Sequence, residues 1–219
     1  MTIGFILLLV AGGLILFGAG QRVLDRLRLT DRQAILFIVL IIAGGFLPEI
    51  PVTRSFSFNI GGALIPLILC VRLWIKADTA VERARSLVAA VISAIAVFLL
   101  GRYLPDEPEA MIVDPMIAYG LAAGAIAYVF GRSRRGAYIA GTLGVMMADV
   151  ANWIYARSMG AEQRLALGGA GGYDAVVIAG LLAVLLSELA GEIIERATRG
   201  RQRPTREFVN GDFVRREHR

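Results

Sequence analysis

Two aspartates in apolar surroundings carry most of the chemistry this chain offers. They are Asp149, in GVMMADVANW, and Asp174, in GGAGGYDAVVIAG. A carboxylate at membrane depth is costly and is seldom kept without a use. A pair of them can hold a proton or a cation, or can share a proton across one water as acid and base. Other polar groups fall near the same level. Asn152 is three residues beyond Asp149 on the same helical face. Asn59 opens FNIGGALIP, Asp114 precedes Pro115, and Glu49 lies between Pro48 and Pro51. Gly61 and Gly62, with Gly168, Gly169 and Gly171, supply close approach or irregular backbone lining. The expected ligand-binding set is therefore Asn59, Asp114, Asp149, Asn152 and Asp174, lined by those glycines.

Each of these residues has a structural reading as well. Asp174 can be a first-turn acid favoured by the helix dipole, Asn59 an N-cap, Asp114 a turn residue and Glu49 a solvated loop charge. Asp149 is the hardest to explain this way, because it lies inside an apolar run. If the last helix begins near Gly168, the two aspartates have a similar depth. If it begins at Tyr173, Asp174 is at the surface.

The elements that must position these residues are membrane helices. The chain has 219 residues, of which 57% are hydrophobic, with mean hydropathy +0.66. A soluble fold of this size could not hide that much apolar surface. Seven apolar segments, at 2–20, 34–50, 58–75, 86–104, 111–131, 136–155 and 170–190, approach the ~20 residues that cross a bilayer. The expected fold is an all-α polytopic transmembrane helix bundle over 1–190. It has about seven spans, or six if the second and third segments form a re-entrant pair. A basic cytoplasmic tail follows over 191–219.

Charge sets the orientation. Arg22, Arg26, Arg28 and Arg32 follow the first segment, and Lys76, Arg83, Arg85, Arg132, Arg134 and Arg135 fall on the same side, as does the Arg-rich tail. The other side holds Arg54, Arg102, Arg157 and Arg164 with the acidic stretch PDEPEA at 105–110. The positive-inside rule then gives N-out and C-in. Asp149, six residues before the end of its segment, lies roughly 9 Å deep at 1.5 Å per residue, and the polar site opens outward. Gly120 and Gly124 form a GxxxG groove for helix packing.

Several chemistries are excluded. The single cysteine, Cys70, allows no intrachain disulfide, and the single histidine, His218, is in the charged tail. Serine–histidine and cysteine–histidine catalysis therefore have no base in the bundle. Histidine-rich zinc sites are excluded for the same reason. No metal or cofactor is expected. The net charge of +5 follows from topology, without a nucleic-acid partner. The expected partners are the bilayer, anionic lipid at the tail and further copies of the chain, since one chain is small for a transporter.

NIGGALIPLIL (59–69), GTLGVMMADVANW (141–153) and LGGAGGYDAVVIAGLLAVLL (167–186) resemble the signature segments of a prokaryotic integral membrane family catalogued as a domain of unknown function. The resemblance covers roughly 35–190. It implies a multi-pass protein of a prokaryotic plasma membrane, sharing Asn59, Gly61, Gly62, Asp149, Gly168, Gly169, Gly171 and Asp174. A second similarity is to intramembrane aspartic proteases, through Tyr173-Asp174. The Gly-x-Gly-Asp motif of those enzymes is absent, because Asp149 follows Met-Met-Ala, and so is their Pro-Ala-Leu motif. Three functions follow as expectations: transport or binding of a proton, cation or small ligand; intramembrane proteolysis with Asp149 and Asp174 as the catalytic pair; and a non-catalytic assembly or signalling role.

Overall fold

The computed structural model describes residues 29–103, 115–131, 133–199, 206–209 and 212–215. The first apolar segment (2–20) and Asp114 lie outside them. The chain divides into two compact units, Met1–Glu188 and Leu189–Arg219.

The described part is mostly helical: α1 (Asp31–Gly45), α2 (Ile65–Ile75), α3 (Ala80–Tyr103), α4 (Pro115–Gly131), α5 (Arg134–Ser158) and α6 (Ala175–Arg199). Side-chain caps fix where several of them start. Thr30 and Gln33 form a reciprocal capping box ahead of α1. The Thr79 hydroxyl accepts from Glu82 N at the head of α3, and the Ser133 hydroxyl accepts from Gly136 N at the head of α5. Such caps satisfy amides that have no partner within the helix.

Two helices, Ala80–Tyr103 and Ala175–Ile194, are long and apolar enough to cross a membrane. The apolar helices at Arg32–Gly45, Ile60–Ile75 and Ala118–Phe130 are shorter. α5 is 25 residues long but carries charged residues at both ends and many Gly, Ala and Thr. It is the central helix and packs on α2, α3 and α4. Its small residues let neighbours approach: a Cβ on Gly144 would meet Ser93 of α3, and one on Gly141 would meet Ala179 and Ala183 of α6. Gly120 and Gly124 face Leu182, Ala183 and Leu186 of α6, so the GxxxG groove is filled within the chain. Away from these contacts α3 exposes Leu87, Val88, Val91, Ile95 and Leu99, an apolar band along one flank. Cys70 is free and buried.

The all-α expectation needs a correction. β1 (Ile50–Thr53), β2 (Phe56–Phe58) and β3 (Leu165–Leu167) form a three-stranded sheet. β1 and β2 pair antiparallel with an irregularity between Pro51 and Thr53, and β2 and β3 pair in parallel, Phe58 opposite Leu167. The sheet takes residues from two of the expected spans. The second segment ends as helix at Gly45. The third becomes a strand, a π-helical turn (Ile60–Leu64) and then α2. In the second unit, β4 (Arg206–Val209) and β5 (Asp212–Arg215) form an antiparallel hairpin within the tail, where the sequence reading had no strands.

Two polar ends result. At one, the sheet lies beside the C-terminal end of α5: Arg157 donates to Ser55 Oγ, Trp153 Nε1 donates to Gln163 O, and Phe56 stacks near Trp153. At the other, Arg135 is buried against Asp78 at 2.6 Å and Glu82 at 3.3 Å, and it donates to Lys76 O. Arg134 pairs with Glu188 at 2.6 Å.

Candidate functional site

Asp149 lies nine residues before the end of α5, about 14 Å along the helix at 1.5 Å per residue. That is deeper than expected, because α5 runs three residues past 155. Its neighbours Val145 and Ala148 are fully buried in an apolar cluster with Leu167 of β3 and Val176 of α6. Asp149 itself is half-buried, and its carboxylate makes no hydrogen bond or ion pair among the described residues.

Asp174 belongs to a different kind of element. Residues 165–173 are not helical: they run as β3, a turn and a 3₁₀ turn (Gly171–Tyr173), and α6 begins at Ala175. Asp174 is the N-cap. Its Oδ1 accepts from Val176 N at 3.0 Å and its Oδ2 from Ala170 N at 3.3 Å. Burial pushes the Asp174 carboxyl above its ordinary range, and those two amide donors oppose the shift. The two aspartates flank one apolar cluster, Asp149 next to Ala148 and Asp174 two residues before Val176.

Backbone packing holds the Asp174 loop in place. Asn59 is buried and caps the π-helical turn, its Oδ1 accepting from Gly62 N at 2.9 Å, while its own N–H donates to Leu167 O at 2.9 Å. A Cβ on Gly62 would collide with Gly168 O, and one on Gly168 would collide with Gly62 and Ala63 backbone. A Cβ on Gly171 would meet Gly45, and one on Gly61 would meet Gly45 N and Ile41 O. Gly168 and Gly171 also have positive φ, +70° and +62°, which side-chain-bearing residues rarely adopt. Three chain segments thus touch through glycine backbone: the end of α1, the π-helical turn and the loop before α6.

The structure therefore brings together Asn59, Gly61, Gly62, Gly168, Gly171, Asp149 and Asp174. Gly169 is exposed beside Glu49, whose Oε2 accepts from Ser57 Oγ at 2.6 Å. Asn152 is exposed and makes no hydrogen bond among the described residues, so it does not join the aspartate pair. Asn59 and Asp174 have capping roles, as their structural readings anticipated. The sequence reading missed Gly44 and Gly45, the third part of the glycine contact; the doublet itself was the available signal. Among the described residues, no group of three or more His, Cys, Asp or Glu side chains could hold a metal.

A family model described as a protein of unknown function, DUF1614, matches residues 23–186. The chain belongs to the DUF1614 family. The match spans α1 through the first half of α6 and so takes in both aspartates and all three glycine segments of the site. No curated protein and no solved structure matches the chain.

Proposed function

We propose that this DUF1614 member is a multi-pass membrane protein that binds a proton or small cation at Asp149 and Asp174, as part of a permeation or ligand-binding pathway. The observation carrying this reading is the Asp149 carboxylate, unpartnered among the described residues, beside an apolar cluster that includes Leu167 and Val176 on either side of the Asp174 loop. Two carboxylates so placed disfavour double ionisation, and a proton or cation relieves the repulsion. Non-helical backbone beside an ionisable group is a common arrangement at ion and substrate sites inside membrane proteins.

The membrane assignment is supported by the two long apolar helices and the exposed apolar band on α3. The positive-inside pattern supports N-out, C-in and an outward-opening site. On this reading, α1 and the Ile60–Ile75 stretch, with 15 residues in α1, are the pair closest to the re-entrant alternative to seven spans. Proteolysis asks for two free carboxyls on one water. Asp174 already accepts backbone amides at both oxygens, which favours binding over cleavage.

The test is flux in proteoliposomes, with an entrapped pH dye and an imposed potassium diffusion potential. Asp149→Asn is expected to abolish proton movement while leaving thermal unfolding unchanged. Flux equal to wild type in that variant would overturn the permeation role.

A further inference from the structure

A second site lies at the opposite end of the bundle from the aspartates, between the start of α3, the end of α4 and the start of α5. A cavity of about 240 Å³ opens there. Its inner wall is apolar, from Ala89, Ala127 and Phe130, and its rim carries Glu82, Arg85 and Ser133. The charges on the rim are not equivalent. Glu82 is already neutralised by Arg135 and accepts from Ser133 Oγ at 2.7 Å. Arg85 is exposed and makes no hydrogen bond or ion pair among the described residues. Among the described residues, the cavity thus has an apolar floor and one unpaired cation at its mouth.

That combination suits an amphiphile with an anionic head. Nearby groups fit a membrane–water boundary. Trp74 donates to Arg83 O, and the Arg83 guanidinium lies 5.8 Å from the Trp74 ring, an amphipathic pairing favoured at the interface. The apolar floor of Ala89, Ala127 and Phe130 gives the first carbons of an acyl chain a surface to rest on; the exposed apolar band of α3 lies on another face of that helix. We infer that this cavity binds the headgroup region of an anionic phospholipid, with Arg85 on the phosphate and the start of an acyl chain on the apolar floor. The inference rests on the membrane reading and is independent of the aspartate pair.

The experiment uses the full chain in a neutral detergent and measures thermal stabilisation against added short-chain phosphatidylglycerol, short-chain phosphatidylcholine and inorganic phosphate. Wild type is expected to bind phosphatidylglycerol more tightly than phosphatidylcholine and to show no matching response to inorganic phosphate. Arg85→Gln, at an exposed position, should keep the unliganded unfolding temperature and weaken phosphatidylglycerol binding about fivefold, from ~1 kcal/mol per basic side chain at an anionic surface. Equal affinity in wild type and Arg85→Gln would overturn the site. Equal affinity for the two lipids, or saturation by inorganic phosphate alone, would overturn the lipid assignment. None of these outcomes depends on Asp149, so flux failing with lipid binding intact would count against the aspartate reading alone.

Discussion

Asp149 and Asp174 are the same residue type in two different situations. Asp149 is held by its helix, and its carboxylate makes no hydrogen bond or ion pair among the described residues. Asp174 is held by its own hydrogen bonds and starts α6. Their substitutions should therefore separate. Asp174→Ala should lower stability by about 1 kcal/mol through loss of the cap, while Asp174→Asn, whose single oxygen can keep the bond from Val176 N, should cost less. The pH dependence has a definite sign. Burial raises the folded-state pKa of Asp174, so its stabilising contribution is complete below the ordinary carboxylate range and is lost as pH rises through the folded pKa. Thermal unfolding of wild type against Asp174→Asn should show the variant gaining on wild type from acidic to alkaline buffer. A constant gap would contradict this.

The glycine contact is an element-scale device, because it joins a helix end, a π-helical turn and a loop. It positions Asp174 without any side chain touching it. Gly62→Ala would drive a methyl into Gly168 O, and Gly168→Ala would add positive-φ strain to a backbone collision. Each should cost about 1–3 kcal/mol; Gly160→Ala, with positive φ but open space, should cost less. Melting temperatures in detergent rank the three. At the other end, Arg135→Ala should cost about 3 kcal/mol by leaving Glu82 without its partner.

Much at this scale was legible in the sequence, and the rest was not for identifiable reasons. Long apolar runs located α3 through α6, but they missed the charged start of α3 at Ala80 and the polar end of α6 at Arg199. The position of Asp149 within a helix was legible, because GVMMADVANW lies inside a continuous apolar run. Asp174 was not, because an acid ahead of an apolar run reads equally as a helix start or an interior group; only the loop settles it. The sheet was invisible because IPVT, FSF and LAL are too short to show period-two patterning, and β2 pairs in parallel with a strand far along the chain. The tail hairpin had a local signal in Asn210-Gly211, between two short apolar-containing stretches.

At the scale of the whole molecule, the reading is a bundle with two chemically distinct ends. One carries the sheet, the glycine contact and the aspartate pair; the other carries Arg135, its acidic partners and the Arg85 cavity. On the proposed N-out, C-in topology the first faces outward and the second inward. Single cysteines replacing Arg164 and Lys76, in a chain with Cys70 changed to alanine, test this directly. A membrane-impermeant maleimide should label position 164 in intact spheroplasts and position 76 only after disruption; the reverse pattern would invert the topology.

The central claim is that Asp149 and Asp174 together hold a proton or a cation. Difference infrared spectroscopy of the carboxyl stretch, as a pH titration of wild type, Asp149→Asn and Asp174→Asn, tests it most directly. The account predicts that the wild-type chain shows a carboxyl titration that disappears in Asp149→Asn and moves in Asp174→Asn, because each group feels the other. A titration unchanged by either substitution would contradict it.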